Sequence, residues 1–154
     1  MANFMNQVNL GGIDEIVQNS RVRATATAGT NAQGVLWMQG TGVPASLAAG
    51  NQTLTAAQIG GGLVVMATGA GNTLTLDTPA NIINYMNANS AGIQVGDIIQ
   101  CFVGNGSGAN ALTIAAGAGG TIDANGSGTI PANSSKTLNI RITNITSPAY
   151  TVYL

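Results

Sequence analysis

Few side chains in this sequence are equipped for chemistry. The carboxylates are Asp14, Glu15, Asp77, Asp97 and Asp123, and there is no histidine. Without imidazole the chain lacks the commonest general base and metal ligand. The serine and cysteine triads built on that ring are excluded, as are His-based zinc sites. The one cysteine, Cys101, lies within an apolar strand pattern and reads as a small buried hydrophobe, with no second thiol to pair with. Two carboxylates can catalyse as a facing pair at about 5–9 Å. Asp77, Asp97 and Asp123, however, all border turn signals, where an aspartate commonly bonds nearby backbone amides. Those three with carbonyl oxygens could hold calcium, but no loop has the EF-hand pattern. The glycines at 60–62, 69–71 and 117–120 invite a phosphate-loop reading, yet no Gly-Lys-Ser/Thr follows any of them. The residues therefore point away from an enzyme and toward a protein with no cofactor.

The elements that must carry these residues are read from composition and periodicity. The chain has 154 residues, 45% hydrophobic but only 6% charged, with 22 glycines and a formal net charge of −1. Soluble domains usually carry about 25% charged residues. Asn, Thr, Ser and Gln supply polarity instead, and a surface this poor in charge suits a chain covered by neighbours in an assembly. The cations are Arg21, Arg23, Lys136 and Arg141, too scattered for a phosphate-binding footprint, so no nucleic-acid partner is expected. No stretch reaches the roughly 18 apolar residues of a membrane span. Met1 to Leu10 shows no basic region followed by an apolar core, so no secretion signal is expected.

The pattern changes near Gly50. Residues 1–50 hold scattered apolar anchors, Phe4, Met5, Val8, Leu10 and Trp37, with Arg21 and Arg23 between them. Ile13, Ile16 and Val17 have the spacing of an amphipathic helical turn, whereas Arg21 to Ala28 alternates as an extended segment. This segment reads as an extended N-terminal arm whose anchors order against a partner. The alternative is that it folds back as further strands of the same domain.

From residue 51 to 154 the pattern is that of a β domain. Leu63–Met66 reads as a short buried strand, and Leu74 and Leu76 share one face of the next. Thr78-Pro79 has the signature of a helix start, with Ile82, Ile83 and Met86 on one side and an end near Asn89. A long strand is expected over Ile93–Val103, with Ile99, Cys101 and Val103 on one face. Leu112 and Ile114 face inward on another. Asn125-Gly126 marks a hairpin joining Thr121–Asp123 to Thr129–Ile130. Leu138, Ile140 and Ile142 share one face of the clearest strand, and Tyr150, Val152 and Leu154 share one face of the last. The pattern predicts a mainly β fold, a sandwich or jelly-roll-like domain with one short helix.

The order of the strand and turn pieces from Thr53 to Tyr153 resembles a group of small virion β-proteins of phages and other large DNA viruses. The pieces are Thr53-Leu54-Thr55-Ala56-Ala57-Gln58-Ile59 with its glycines, Gln94-Val95-Gly96-Asp97, and Asn110-Ala111-Leu112-Thr113-Ile114-Ala115-Ala116-Gly117. Thr129-Ile130-Pro131-Ala132, Arg141-Ile142-Thr143-Asn144-Ile145-Thr146 and Ala149-Tyr150-Thr151-Val152-Tyr153 complete the series. Residues 1–50 lie outside the resemblance. It implies a virion structural protein with no catalytic residues to carry over. Similarity to head decoration (capsid cement) proteins further implies a homotrimer on the outer capsid surface, with the major capsid protein as partner. The arm would lie across neighbouring capsid subunits. The competing expectation is a tail-fibre or spike module that recognises a host surface, which calls for exposed aromatics or carboxylates clustered on loops.

Overall fold

The computed structural model describes residues 45–154 apart from 68, 90 and 91, together with the backbone of four earlier strands at 8–9, 13–18, 21–26 and 36–37. Among the described residues the fold is mainly β, with three sheets and two helices. Strands β1 (Val8–Asn9), β2 (Ile13–Gln18) and β3 (Arg21–Ala26) form a three-stranded antiparallel sheet. The helical spacing of Ile13, Ile16 and Val17 is thus overridden. All three are β-branched, which favours a pleated strand, and residues 13–18 pair in unbroken register with Ala26–Arg21.

The rest of the chain alternates between two sheets. Strands β5 (Ala45–Leu47), β7 (Leu63–Met66) and β9 (Ile98–Asn105) enter one sheet as parallel neighbours. The strands that alternate with them, β6 (Gln52–Leu54), β8 (Asn72–Leu76) and β10 (Leu112–Ala115), enter the other, also as parallel neighbours. Parallel neighbours cannot be joined by a tight turn and need a crossover. Here each crossover runs through the opposite sheet, so the chain winds as a coil. Helices α1 (Ala56–Gly61) and α2 (Pro79–Asn89) occupy two of the return passages and pack on each other.

The closing strands are β11 (Gly120–Ile122), β12 (Thr129–Ile130), β13 (Ser134–Asn144) and β14 (Ala149–Tyr153). The smaller sheet has the order β12-β10-β8-β6 and the larger β11-β14-β13-β9-β7-β5. Strand β4 (Leu36–Trp37) also joins the larger sheet. One edge of β9 is paired throughout by β13, and its other edge is shared, with β4 opposite Ile98 and Ile99 and β7 opposite Phe102 to Asn105. The last part of the 1–50 segment therefore pairs with the strands that follow it.

Both sheets and both helices contribute to one core. Leu54, Leu74, Leu76, Leu112, Ile114 and Ile130 come from the smaller sheet. Val64, Met66, Ile99, Cys101, Val103, Leu138, Ile140, Ile142, Tyr150 and Val152 come from the larger. Burying each large side chain stabilises the fold by about 1.5–3 kcal/mol. The helix expected after Thr78-Pro79 is present, with the Asn81 amide donating to Thr78 Oγ1 at 3.3 Å and Ile82, Ile83 and Met86 buried.

Three further expectations are corrected. A second helix, α1, is present in place of the single one. The Gln58 amide donates to Thr55 Oγ1 and the Thr55 amide to Gln58 Oε1, a reciprocal cap, and Gly62 closes the helix at φ 78°. The strand expected from Ile93 begins only at Ile98, because Gly96 adopts φ 96° and the Asp97 amide turns back to Gln94 O. Finally, Asn125-Gly126 does not make a hairpin. β11 pairs with β14 and β12 with β10, in different sheets. Neither turn residue has the positive φ that a two-residue hairpin of this type requires. Asp123 leads the turn instead, its carbonyl accepting from Gly126 N and its carboxylate from Asn125 N.

Candidate interaction surface

Asp77, Asp97 and Asp123 are engaged in holding the fold. Asp77 Oδ2 accepts from Ala56 N at 2.9 Å, and Oδ1 accepts from Thr78 N at 2.8 Å and Asn81 Nδ2 at 2.7 Å. One carboxylate thus ties the first residue of α1 to the start of α2. Desolvation raises its pKa, but these three donors outweigh that and hold it below the ordinary aspartate value. Asp97 is buried, accepts from Gln94 N at 2.8 Å and passes its own carbonyl to Ile142 N. Asp123 serves the turn already described. Among the described residues no cluster of three or more His, Cys, Asp or Glu is placed to hold a metal. Burial pushes the Cys101 thiol up to about 12, which leaves it an unreactive thiol.

The glycine runs have separate packing roles. A Cβ on Gly117 would lie 2.4 Å from Leu76 O, and one on Gly120 would lie 2.3 Å from the Tyr150 ring. Gly69 and Gly71 have nothing within 4 Å of such an atom and sit in an open loop.

Of the residues expected to anchor an arm, Phe4, Met5 and Leu10 lie outside the described residues. Val8 is in β1 at the register position of Glu15, and Arg21 and Arg23 are in β3 opposite Gln18 and Ile16. The backbone thus gathers Val8, Arg21 and Arg23 into one small sheet. Trp37 is placed elsewhere, in β4 opposite Ile99 of the larger sheet.

The larger sheet presents an apolar patch on its outer face. Val64 and Met66 of β7 are fully buried, whereas Leu63 is 36% and Val65 37% exposed, and Phe102 of β9 is 41% exposed. Leu63 is directly opposite Phe102, and Val65 is opposite Gly104. With no side chain at Gly104, Val65 Cγ2 lies 3.7 Å from where a Cβ would stand. Around the patch stand neutral polar residues. Thr137 is opposite Phe102, Ser46 is opposite Val65, and Gln100 Nε2 donates to Asn139 Oδ1 at 2.8 Å. An apolar cluster rimmed by hydrogen-bonding groups is the usual form of a contact surface.

Sequence reasoning missed this patch. Four apolar residues in a row, Leu63 to Met66, read as a short buried strand. Only the pairing with β9 separates the two faces. The outer face of the smaller sheet is different. There Thr53 is opposite Thr75, and Thr73, Thr113 and Thr129 form a row across three strands. These cross-strand threonines solvate the face without charge.

No protein-family model, curated protein or solved structure matches the chain.

Proposed function

We propose that the chain is a virion structural protein, a cement or decoration protein that binds the outer capsid surface of a phage-like head and bridges capsid subunits. Its partners in this reading are the major capsid protein and two further copies of itself in a homotrimer. The domain is read as a two-layer sandwich wound as a coil, because both sheets share one core. The parallel neighbours within each sheet depart from the antiparallel order of a jelly roll.

The observation that carries the proposal is the apolar patch of Leu63, Val65 and Phe102 on a chain with only 6% charged residues. Such a surface is soluble when neighbours cover it. The order of strand pieces from Thr53 to Tyr153, which resembles small virion β-proteins, supports the same reading. The N-terminal segment supplies the bridge. Phe4, Met5, Val8, Leu10, Arg21, Arg23 and Trp37 are the anchors assigned to it, and extended segments attach to sheet edges through backbone hydrogen bonds. Three linked copies convert weak single contacts into firm attachment.

The test is a truncation. Removing residues 2–20 is expected to leave the β domain folded and to abolish attachment to emptied heads in a cosedimentation assay. Attachment equal to that of the full chain would refute the arm as the bridge.

A further inference from the structure

The sequence contains two Asn-Gly pairs, Asn105-Gly106 and Asn125-Gly126, and the fold treats them in opposite ways. Asn105 is 2% exposed. Its Nδ2 donates to Asn110 O at 2.9 Å and to Ile130 O and Pro131 O at 3.1 Å, while its Oδ1 accepts from Ser107 N at 3.1 Å. Gly106 N is itself committed to Met66 O at 2.9 Å. Asn125 is exposed at the tip of the 123–126 turn. Among the described residues its side-chain amide has no hydrogen-bond partner, and only its backbone N is engaged, with Asp123 Oδ1 at 2.9 Å. A single bond, Gly126 N to Asp123 O at 3.0 Å, restrains the next nitrogen.

We infer that Asn125 is a site of spontaneous, self-catalysed modification and that Asn105 is protected from it. The backbone nitrogen of Gly126 attacks the side-chain carbonyl carbon of Asn125. A carbon–nitrogen bond forms, the Gly126 amide proton is lost, and ammonia leaves from the side chain to give a cyclic imide. Water opens that ring at either carbonyl, leaving aspartate or isoaspartate. Glycine suits the step because it has no side chain to hinder the approaching nitrogen. The barrier that the fold adds at Asn125 is the opening of one exposed turn, a low-cost local event. At Asn105 four side-chain hydrogen bonds and a strand pairing must be given up first.

The product changes the turn. A new carboxylate at 125 stands beside Asp123, whose Oδ1 accepts from the same residue's N–H. Isoaspartate also lengthens the backbone next to Gly126, where a Cβ would already lie 3.2 Å from Leu154 Cβ. The modification therefore adds a negative charge and loosens the contact between the turn and the chain's last residue.

The experiment incubates native protein in mildly alkaline buffer beside a sample held unfolded in urea. Both are followed by ion exchange and by peptide mapping with isoaspartate detection. Conversion of both asparagines is expected in urea. In the native protein Asn125 is expected to convert faster than Asn105 by roughly a hundredfold or more, since opening at Asn105 draws on the stability of the whole domain. The Asn125→Gln variant should lack the acidic species that accumulates in the parent. Conversion of both sites at similar rates in the native protein would overturn the inference, as would an unmodified Asn125 where the unfolded chain reacts.

Discussion

Tyr150 and Asp77 are joined across 73 residues of sequence by a hydrogen bond from the Tyr150 hydroxyl to the Asp77 carbonyl oxygen, at 3.1 Å. The same hydroxyl accepts from Gly117 N at 2.8 Å. The last strand of the larger sheet thus reaches the end of β8 in the smaller one and holds the loop after β10. Tyr150→Phe keeps the ring and removes both bonds, leaving a buried amide and a carbonyl without their partner. The expected cost is about 1–3 kcal/mol, read as a lower urea midpoint with an unchanged slope.

The glycines around that hydroxyl are set by space. Gly117→Ala brings a methyl group against Leu76 O at 2.4 Å and Asp77 O at 2.6 Å, both backbone atoms that cannot swing away. A loss of about 3 kcal/mol or more is expected, from overpacking with backbone displacement. Gly71→Ala has nothing within 4 Å to meet. It should change stability by less than about 0.5 kcal/mol. Thermal unfolding of the two variants separates a glycine needed for packing from one in an open loop.

Much of this arrangement was legible locally, and the rest depends on distant partners. Thr78-Pro79 announced α2 because capping and proline geometry are local. The alternation of Ile99, Cys101 and Val103, and of Leu138, Ile140 and Ile142, placed those residues inward, and all six are buried. The Thr55-x-x-Gln58 spacing of a capping box was present too, yet α1 ends in Gly60 and Gly61, poor helix formers that masked it. Sheet membership was not legible. Strands β11 and β12 look like hairpin partners, but β11 pairs in parallel with β14 and β12 pairs antiparallel with β10, so the choice of sheet depends on partners outside the local pattern. The same non-locality hid the outer patch, since the exposure of Leu63 and Val65 follows from the register with β9. Of the predicted anchors, Val8, Arg21 and Arg23 fall in one sheet by backbone pairing, a grouping their spacing did not reveal.

Asp77 gives the acid limb of stability a specific origin. Its folded-state pKa is depressed, so its contribution is complete above the unfolded value of about 3.9 and is lost as pH falls through the lower, folded value. Asp77→Asn removes the charge that Ala56 N, Thr78 N and Asn81 Nδ2 solvate. The variant should be less stable than the parent at neutral pH. The gap between the two should narrow as pH drops below the ordinary aspartate range. Urea midpoints across an acid series test this, and a gap independent of pH would assign the effect to lost packing rather than to the carboxylate.

The outer patch makes the sharpest demand on the functional reading. Leu63 and Phe102 face each other across β7 and β9 and are both more than a third exposed, so neither anchors the core. Replacing both by threonine keeps a strand-forming side chain at each position. Each change should alter stability by no more than about 1 kcal/mol. If the patch is where copies or capsid subunits meet, the double variant should remain folded but sediment as a smaller species and attach poorly to emptied heads. Thr113→Ser, on the opposite threonine face, should leave both properties as they were. A double variant that associates and attaches like the parent would remove the patch from the interface, whatever the arm contributes. A loss of attachment shared by Thr113→Ser would show that the effect is not confined to the apolar face.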